Sequence, residues 1–397
     1  MNIREIKSGI LYAGVNDRVT DRFEALWPLP YGVSYNSYIV KGAEKTALID
    51  TVEVGTVLDY LKAIRELIGH EGIDYVVVNH MEPDHSGSIP LILSYFPKAR
   101  IVGNRQTLGM VKGFYGVEEN RLMEITDGST LDLGGKTLKF YLTPMVHWPE
   151  TMMTYVEEDK VLFSGDAFGC FGALNGGVVD TEMETGWYRD EMYRYYSNIV
   201  GKYGKFVARA FDKLRGLEID YICSTHGPVW HEKIGEVTRL YYDLSQYKSE
   251  PGVTIIYGTM YGNTAEVAEE IARKLCERGV KNIKIHNASK SGMSYMISDA
   301  FRYEGLIVGS ATYSMHILPP VEQFMIAMET REIKNKVLAT FGSFTWASAA
   351  GAKLNEYAAK MNIEVVDSLV MKQSLSETTH SEIDRLVDNF VSALQLK

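Results

Sequence analysis

A chain of 397 residues, 46% hydrophobic and 23% charged, is long enough for two or three domains and has the composition of a globular protein with large cores. Its formal net charge of −10, without a lysine or arginine cluster, argues against nucleic acid and against an anionic membrane surface as partners. Three scattered cysteines, Cys170, Cys223 and Cys276, argue against a disulfide framework, a four-cysteine iron site or a cysteine-ligated iron–sulfur cluster. Charges at Arg4, Glu5, Lys7, Asp17 and Arg18 interrupt any apolar leader in the first twenty residues, and no later apolar run approaches a membrane span. A cytoplasmic enzyme is the expectation.

Taken in order, Trp27-Pro28-Leu29-Pro30-Tyr31-Gly32 reads as a rigid aromatic loop, and residues 37–41 and 46–50 as two strands around a Gly-Ala-Glu-Lys turn. Val57, Leu58, Leu61, Ile64 and Leu67 recur at helical spacing and predict an amphipathic helix over 54–68. A buried strand over 75–78 runs into His80-Met81-Glu82-Pro83-Asp84-His85, which sets two imidazoles and two carboxylates within six residues. Helix, strand and helix follow at 91–96, 100–102 and 105–114; then the sheet is expected to become antiparallel, with a hairpin around Gly134-Gly135. Its second arm ends shortly before His147 and Trp148, the next hairpin stops at Asp166, and a strand over 219–223 runs into His226. Helices are expected over 184–203, 206–214 and 237–244.

The polar, Pro/Gly-terminated stretch 245–252 marks a domain boundary, placed between residues 1–249 and 250–397. Beyond it, strands at 253–257, 284–286, 306–308, 337–341 and 364–366 alternate with helices at 265–278, 294–301, 321–328, 349–361 and 382–394. Such alternation implies a doubly wound, five-stranded parallel sheet.

The metal-ligand candidates gathered from strand ends are His80, Glu82, Asp84, His85, His147, Asp166 and His226. Seven donors suit two cations better than one. With Asp166 bridging, His80, Glu82 and His147 would serve one metal and Asp84, His85 and His226 the other. Imidazole and carboxylate without thiolate suit Fe(II), Mn(II) or Zn(II), and the carboxylate share favours iron. Trp148 and Tyr195 could line a substrate pocket, acting by shape or a hydroxyl, or simply pack. His70 and His231 read as surface or satisfied histidines, His286 and His380 as structural or surface, His316 as a bystander, and Cys170 and Cys223 as small core residues.

In the second half, the strand over 253–257 enters Gly258-Thr259-Met260-Tyr261-Gly262-Asn263-Thr264 and then a helix, a cradle in which backbone N–H groups and hydroxyls face an anion. Two further strand-end loops, Ser310-Ala311-Thr312-Tyr313-Ser314-Met315 and Gly342-Ser343-Phe344-Thr345-Trp346-Ala347, offer backbone donors and aromatics that could stack on a flat ring.

The H-x-E-x-D-H run with the later His147, Asp166 and His226 resembles the metallo-β-lactamase-like fold, a four-layer αββα sandwich, over roughly residues 1–250. Hydrolases of that superfamily usually carry a histidine where Glu82 stands; the glutamate resembles the flavodiiron variant and implies iron. The loop at 259–264 resembles the flavodoxin phosphate loop of an FMN site, with Met260 departing from its usual hydroxyl residue. Fused in this order, the halves resemble the flavodiiron proteins. The resemblance implies FMN, two non-haem irons bridged by Asp166, and reduction of O2 to water or NO to N2O. It also implies an external donor such as rubredoxin, a head-to-tail homodimer that could pair into a tetramer, and a His85 position that water can take. The rivals are a flavin-free zinc hydrolase and a flavin electron-transfer module with a degenerate metal domain.

Overall fold

In the computed structural model, which describes residues 4–69 and 72–395, the chain divides into two compact units. One holds the residues up to Tyr196 together with Tyr203–Gln246; the other holds Ser197–Lys202 and the residues from Tyr247 onward. His70 lies outside the described residues.

The first unit contains two sheets. The larger runs in the order Arg4–Lys7, Ile10–Tyr12, Tyr38–Lys41, Thr46–Ile49, Tyr75–Val77, Arg100–Gly103 and Leu122–Glu124. Its first four strands pair antiparallel and its last four parallel, because helices cross over between them. The helix Val57–Ile68 buries Tyr60, Leu61, Ile64 and Ile68, whereas Leu58, counted above in its apolar stripe, is exposed. The sheet does not itself turn antiparallel after residue 120. A second sheet begins there: Thr130–Asp132, Thr137–Leu142, Met152–Val156 and Val161–Gly165 form antiparallel hairpins, and Tyr221–Ser224 adds parallel to the last. Side chains of the two sheets meet in the core, as where the rings of Tyr38 and Phe163 stand 5.1 Å apart. Trp27–Pro28, expected in a loop, pairs with Arg22–Phe23 in a small ribbon whose turn holds Glu24 and Ala25 at positive φ.

The expected helix over 184–203 is interrupted. The α-helix Gly186–Tyr195 gives way to a π turn, Tyr196–Val200, and a 3-10 turn, Gly201–Tyr203. A single turn of this kind is too short to set an apolar period of its own.

In the second unit five parallel strands run in the order Ile283–Asn287, Glu250–Gly258, Tyr303–Tyr313, Val337–Phe344 and Val365–Lys372. The two-residue strand His316–Ile317 pairs antiparallel with the end of Tyr303–Tyr313. Ile255, Ile307, Phe341 and Leu369 of the sheet pack with Val267, Ile271 and Leu275 of the helix Asn263–Glu277 and with Leu386 and Phe390 of Glu377–Gln395. Burying each such side chain contributes about 1.5–3 kcal/mol, so this apolar layer holds the loops at the strand ends. Among the described residues no helix is long and apolar enough to cross a membrane.

Candidate functional site

Six of the seven donors are delivered by a strand end or the turn that follows it, and His147 lies in the irregular segment between Thr137–Leu142 and Met152–Val156. His80 and Glu82 follow Tyr75–Val77, and Pro83, at the first position of the single turn Pro83–Ser86, starts the turn that carries Asp84 and His85. The turn is held when the Thr51 backbone N–H (2.8 Å) and hydroxyl (2.7 Å) both donate to the His85 carbonyl. Asp166 follows Val161–Gly165 and His226 follows Tyr221–Ser224.

The fold brings all seven together as two groups, His80, Glu82, His147 and Asp166, and Asp84, His85 and His226, each close enough to hold a metal ion. In the first, Glu82 Oε2 is 3.2 Å from His80 Nε2 and 3.1 Å from His147 Nε2, and Asp166 Oδ2 is 3.1 Å from His147 Nε2. In the second, His85 Nε2 is 3.2 Å from Asp84 Oδ2 and 3.1 Å from His226 Nε2. Asp166 turns its other oxygen, Oδ1, to this group, 3.1 Å from His85 Nε2. Two donors each about 2.1 Å from one cation stand about 3.0 Å apart at a right angle and about 3.4 Å at a tetrahedral one, so these separations are those of a coordination shell. Asp84 Oδ1 has no hydrogen-bond partner among the described residues, and Oδ2 faces only the His85 and His226 imidazoles, an arrangement that a cation would satisfy. The donors therefore fit a pair of metal ions.

Several residues that spacing alone does not mark orient this set. Glu150, buried, accepts from His80 Nδ1 (2.9 Å) and from the Met81 backbone N–H (2.9 Å), which leaves His80 Nε2 to face the first group. The Ser34 carbonyl does the same for His226 Nδ1 at 2.8 Å, and the Thr225 hydroxyl donates to Asp166 Oδ1 at 2.5 Å. Asn36, also buried, ties the His226 loop down by donating to the carbonyls of Ser224 and Gly227. His85 Nδ1, which is buried, has no partner among the described residues.

In the metal-free chain these groups hold one another ionised. Burial opposes charge on His80, yet Asp166 and the bonds to Glu150 and Glu82 raise its imidazole well above the ordinary value. Against the same burial, Asp84 and Asp166 raise His85 to about 10, and Asp166 and Glu82 raise His147 to about 9. Asp166, despite burial, is held well below the usual carboxylate range by His85 and His80.

Aromatic rings wall the centre. Trp148 lies edge-to-face on His80, 5.3 Å between ring centres, and Phe23, Tyr35 and Tyr195 surround His226 at 5.3, 5.9 and 5.5 Å. Tyr195 is fully buried, and its hydroxyl has no partner among the described residues. Burial, with the charges of Asp166, Glu82 and Asp84, pushes that hydroxyl well above the usual tyrosine range. Of the histidines set aside above, His231 stacks on Tyr221 and His286 pairs with Asp299 at 2.8 Å. His316 is 3.7 Å from Glu322 and His380 3.2 Å from Glu270. Cys170 and Cys223 are buried and Cys276 is exposed.

In the second unit the three strand-end loops enclose a cavity of about 540 Å³, the size of a small-molecule site. Thr259, Met260, Tyr261, Asn263, Thr264, Ala311, Thr312, Tyr313, Ser314, Met315, Ser343, Phe344, Thr345, Trp346 and Ala347 line it; Gly262 does not, but its φ of 107° and its N–H bond to the Thr259 hydroxyl (3.0 Å) shape the turn into the helix Asn263–Glu277. Gln373, which the sequence reading omits, also lines it, at the carboxyl end of the fifth parallel strand where the topological rule would have pointed. Tyr313 and Trp346 are exposed at its rim, Trp346 by 90%. A flat aromatic cofactor with one phosphate fits this arrangement, the phosphate against the helix N-terminus and the ring between the loops.

A model of the ODP family beta lactamase matches residues 33–227, and the flavodoxin model matches residues 255–383. An uncharacterized protein of Methanocaldococcus jannaschii is 32% identical, covering 92% of this chain and 91% of that protein. The anaerobic nitric oxide reductase flavorubredoxin of Escherichia coli is also 32% identical, over 92% of this chain and 77% of its own length. The structure of rubredoxin oxygen:oxidoreductase from Desulfovibrio gigas superposes with a TM-score of 0.94 at 26% identity, covering 100% of this chain and 99% of that one. The flavodiiron protein of Giardia intestinalis superposes with a TM-score of 0.93 at 25% identity, over 100% and 98%. Likeness that runs through both units in the same order, and over nine-tenths of the chain, places it in the flavodiiron protein family of oxidoreductases, which carry FMN and a pair of irons.

Proposed function

We propose that this chain reduces O2 to water, NO to N2O, or both, in the cytoplasm, taking electrons from rubredoxin or a similar small redox protein. His80, Glu82 and His147 would hold one iron and Asp84, His85 and His226 the other, with Asp166 between them and FMN in the strand-end cavity. When bound, these groups supply the redox chemistry, the flavin relaying electrons singly and the iron pair gathering the small substrate. The observation that carries the reading is the Asp166 carboxylate, which turns one oxygen to each donor group. Relatives named as a nitric oxide reductase flavorubredoxin and a rubredoxin oxygen:oxidoreductase support it.

The chain's own residues would then act by position. Glu150 and the Ser34 carbonyl fix which nitrogen of His80 and His226 is free. Trp148 and the rings about His226 exclude water, and Tyr195 keeps its hydroxyl proton beside the centre. Anaerobic assays of the iron- and FMN-loaded protein with each gas and reduced rubredoxin should show turnover of at least one. Loss of that turnover in His80→Ala and His147→Ala is expected. Tightly bound zinc and thioesterase turnover in a flavin-free protein would instead establish the hydrolase.

A further inference from the structure

The first unit keeps a small apolar cavity that none of the roles above uses. Val146 and Ala167, chain neighbours of His147 and Asp166, form its deep wall, with Phe168, Val207 and Ala210 around it; all five are buried. Met153, Tyr241 and, from the helix Gly204–Leu214, the half-buried Phe211 and Leu214 complete the lining. Phe168 holds a left-handed backbone (φ 67°), costly for a bulky residue, and its carbonyl accepts the Trp230 indole N–H at 2.9 Å. The turn that presents Asp166 thereby also sets the Phe168 ring in the cavity wall, 5.9 Å from the centre of the Phe211 ring.

The free volume, about 10 Å³, is the threshold for one small molecule, and every lining residue but Tyr241 is apolar. Water would find at most the Tyr241 hydroxyl there, short of the two or more polar partners it needs, whereas an uncharged diatomic gives up almost no solvation on entering. Resting on the reductase reading above, we propose that this cavity is a gas-holding site: it admits O2 or NO past Phe211 and keeps it beside the backbone that carries His147 and Asp166.

Crystals of the iron- and FMN-loaded protein pressurised with xenon are expected to show xenon between Phe168 and Ala210. In Ala210→Phe the xenon should be lost and the apparent KM for the gas should rise several-fold. The kcat at saturating gas, the rate of FMN reduction by rubredoxin and the iron content should stay at wild-type values. Ala210→Met, a smaller insertion, should give the same effects in weaker form and serves if the phenylalanine variant does not fold. No xenon in the wild-type cavity, or an unmoved gas KM in a variant that keeps its iron and excludes xenon, overturns the proposal. Xenon bound in a wild-type protein that reduces neither gas supports the cavity and overturns the reductase reading alone.

Discussion

The ring of His80 is oriented by a carboxylate from seventy residues further along the chain, since Glu150 accepts its Nδ1 proton from within the buried core. Replacing that acceptor by an amide, Glu150→Gln, keeps the shape but weakens the charge-assisted bond, and loss of such supporting partners typically costs about 10–100-fold in metal affinity. Iron titration of the apo-protein should show one of the two sites weakened by that order; equal affinities in wild type and variant would contradict the role. A second expectation follows from the raised imidazoles. His147 at about 9 and His85 at about 10 lie above an exposed histidine, so both carry a proton at neutral pH that a metal must displace. Loading at pH 7 should therefore release protons, detectable by calorimetry in buffers of different ionisation enthalpy, and should tighten as pH rises toward these values. By the same sign, the stability these histidines give the apo-protein is complete below about 6.5 and lost as pH rises through 9 to 10, so its Tm should fall across that window. The seven donors are legible in the sequence because six follow a strand or sit in a proline-started turn and His147 comes shortly after a strand. Glu150, Ser34 and Thr225 are not, because their partners are set by the meeting of remote segments and no local spacing records it.

Among elements, the strands and helices of the second unit are legible because the apolar runs of its three central strands are buried on the helix-covered faces of a parallel sheet. The second sheet of the first unit and the π turn at Tyr196–Val200 are not, since hairpin patterns do not say which sheet they join and a five-residue π turn is too short to set a period of its own. The strand Tyr303–Tyr313 shows how tightly one element can be specified. Gly309 pairs with Phe341 on the adjacent strand, and a methyl group at Gly309 would stand 2.0 Å from that ring. Gly309→Ala is therefore expected to displace Phe341, two residues before Ser343 in the cavity lining, at a cost of about 1–3 kcal/mol. Urea unfolding followed by flavin release should report a lower midpoint and weaker FMN binding, with iron content unchanged. Wild-type FMN affinity in the variant would show that the lining tolerates the shift.

For the whole molecule, the family reading predicts a head-to-tail homodimer, and sedimentation that found a fully active monomer would remove it. A separate consequence follows from where the aromatic residues fall. Of the five tryptophans, Trp27, Trp148, Trp187 and Trp230 belong to the first unit and are buried or half-buried, while Trp346 alone belongs to the second and is the exposed one, at the rim of the cavity. An exposed indole emits at longer wavelength than buried ones, and a flavin bound beside it would quench that emission. The red edge of the protein's own fluorescence should accordingly dim as FMN is added to the apo-protein, and Trp346→Phe should abolish the change. The chain thus carries an optical gauge of flavin occupancy that needs no label.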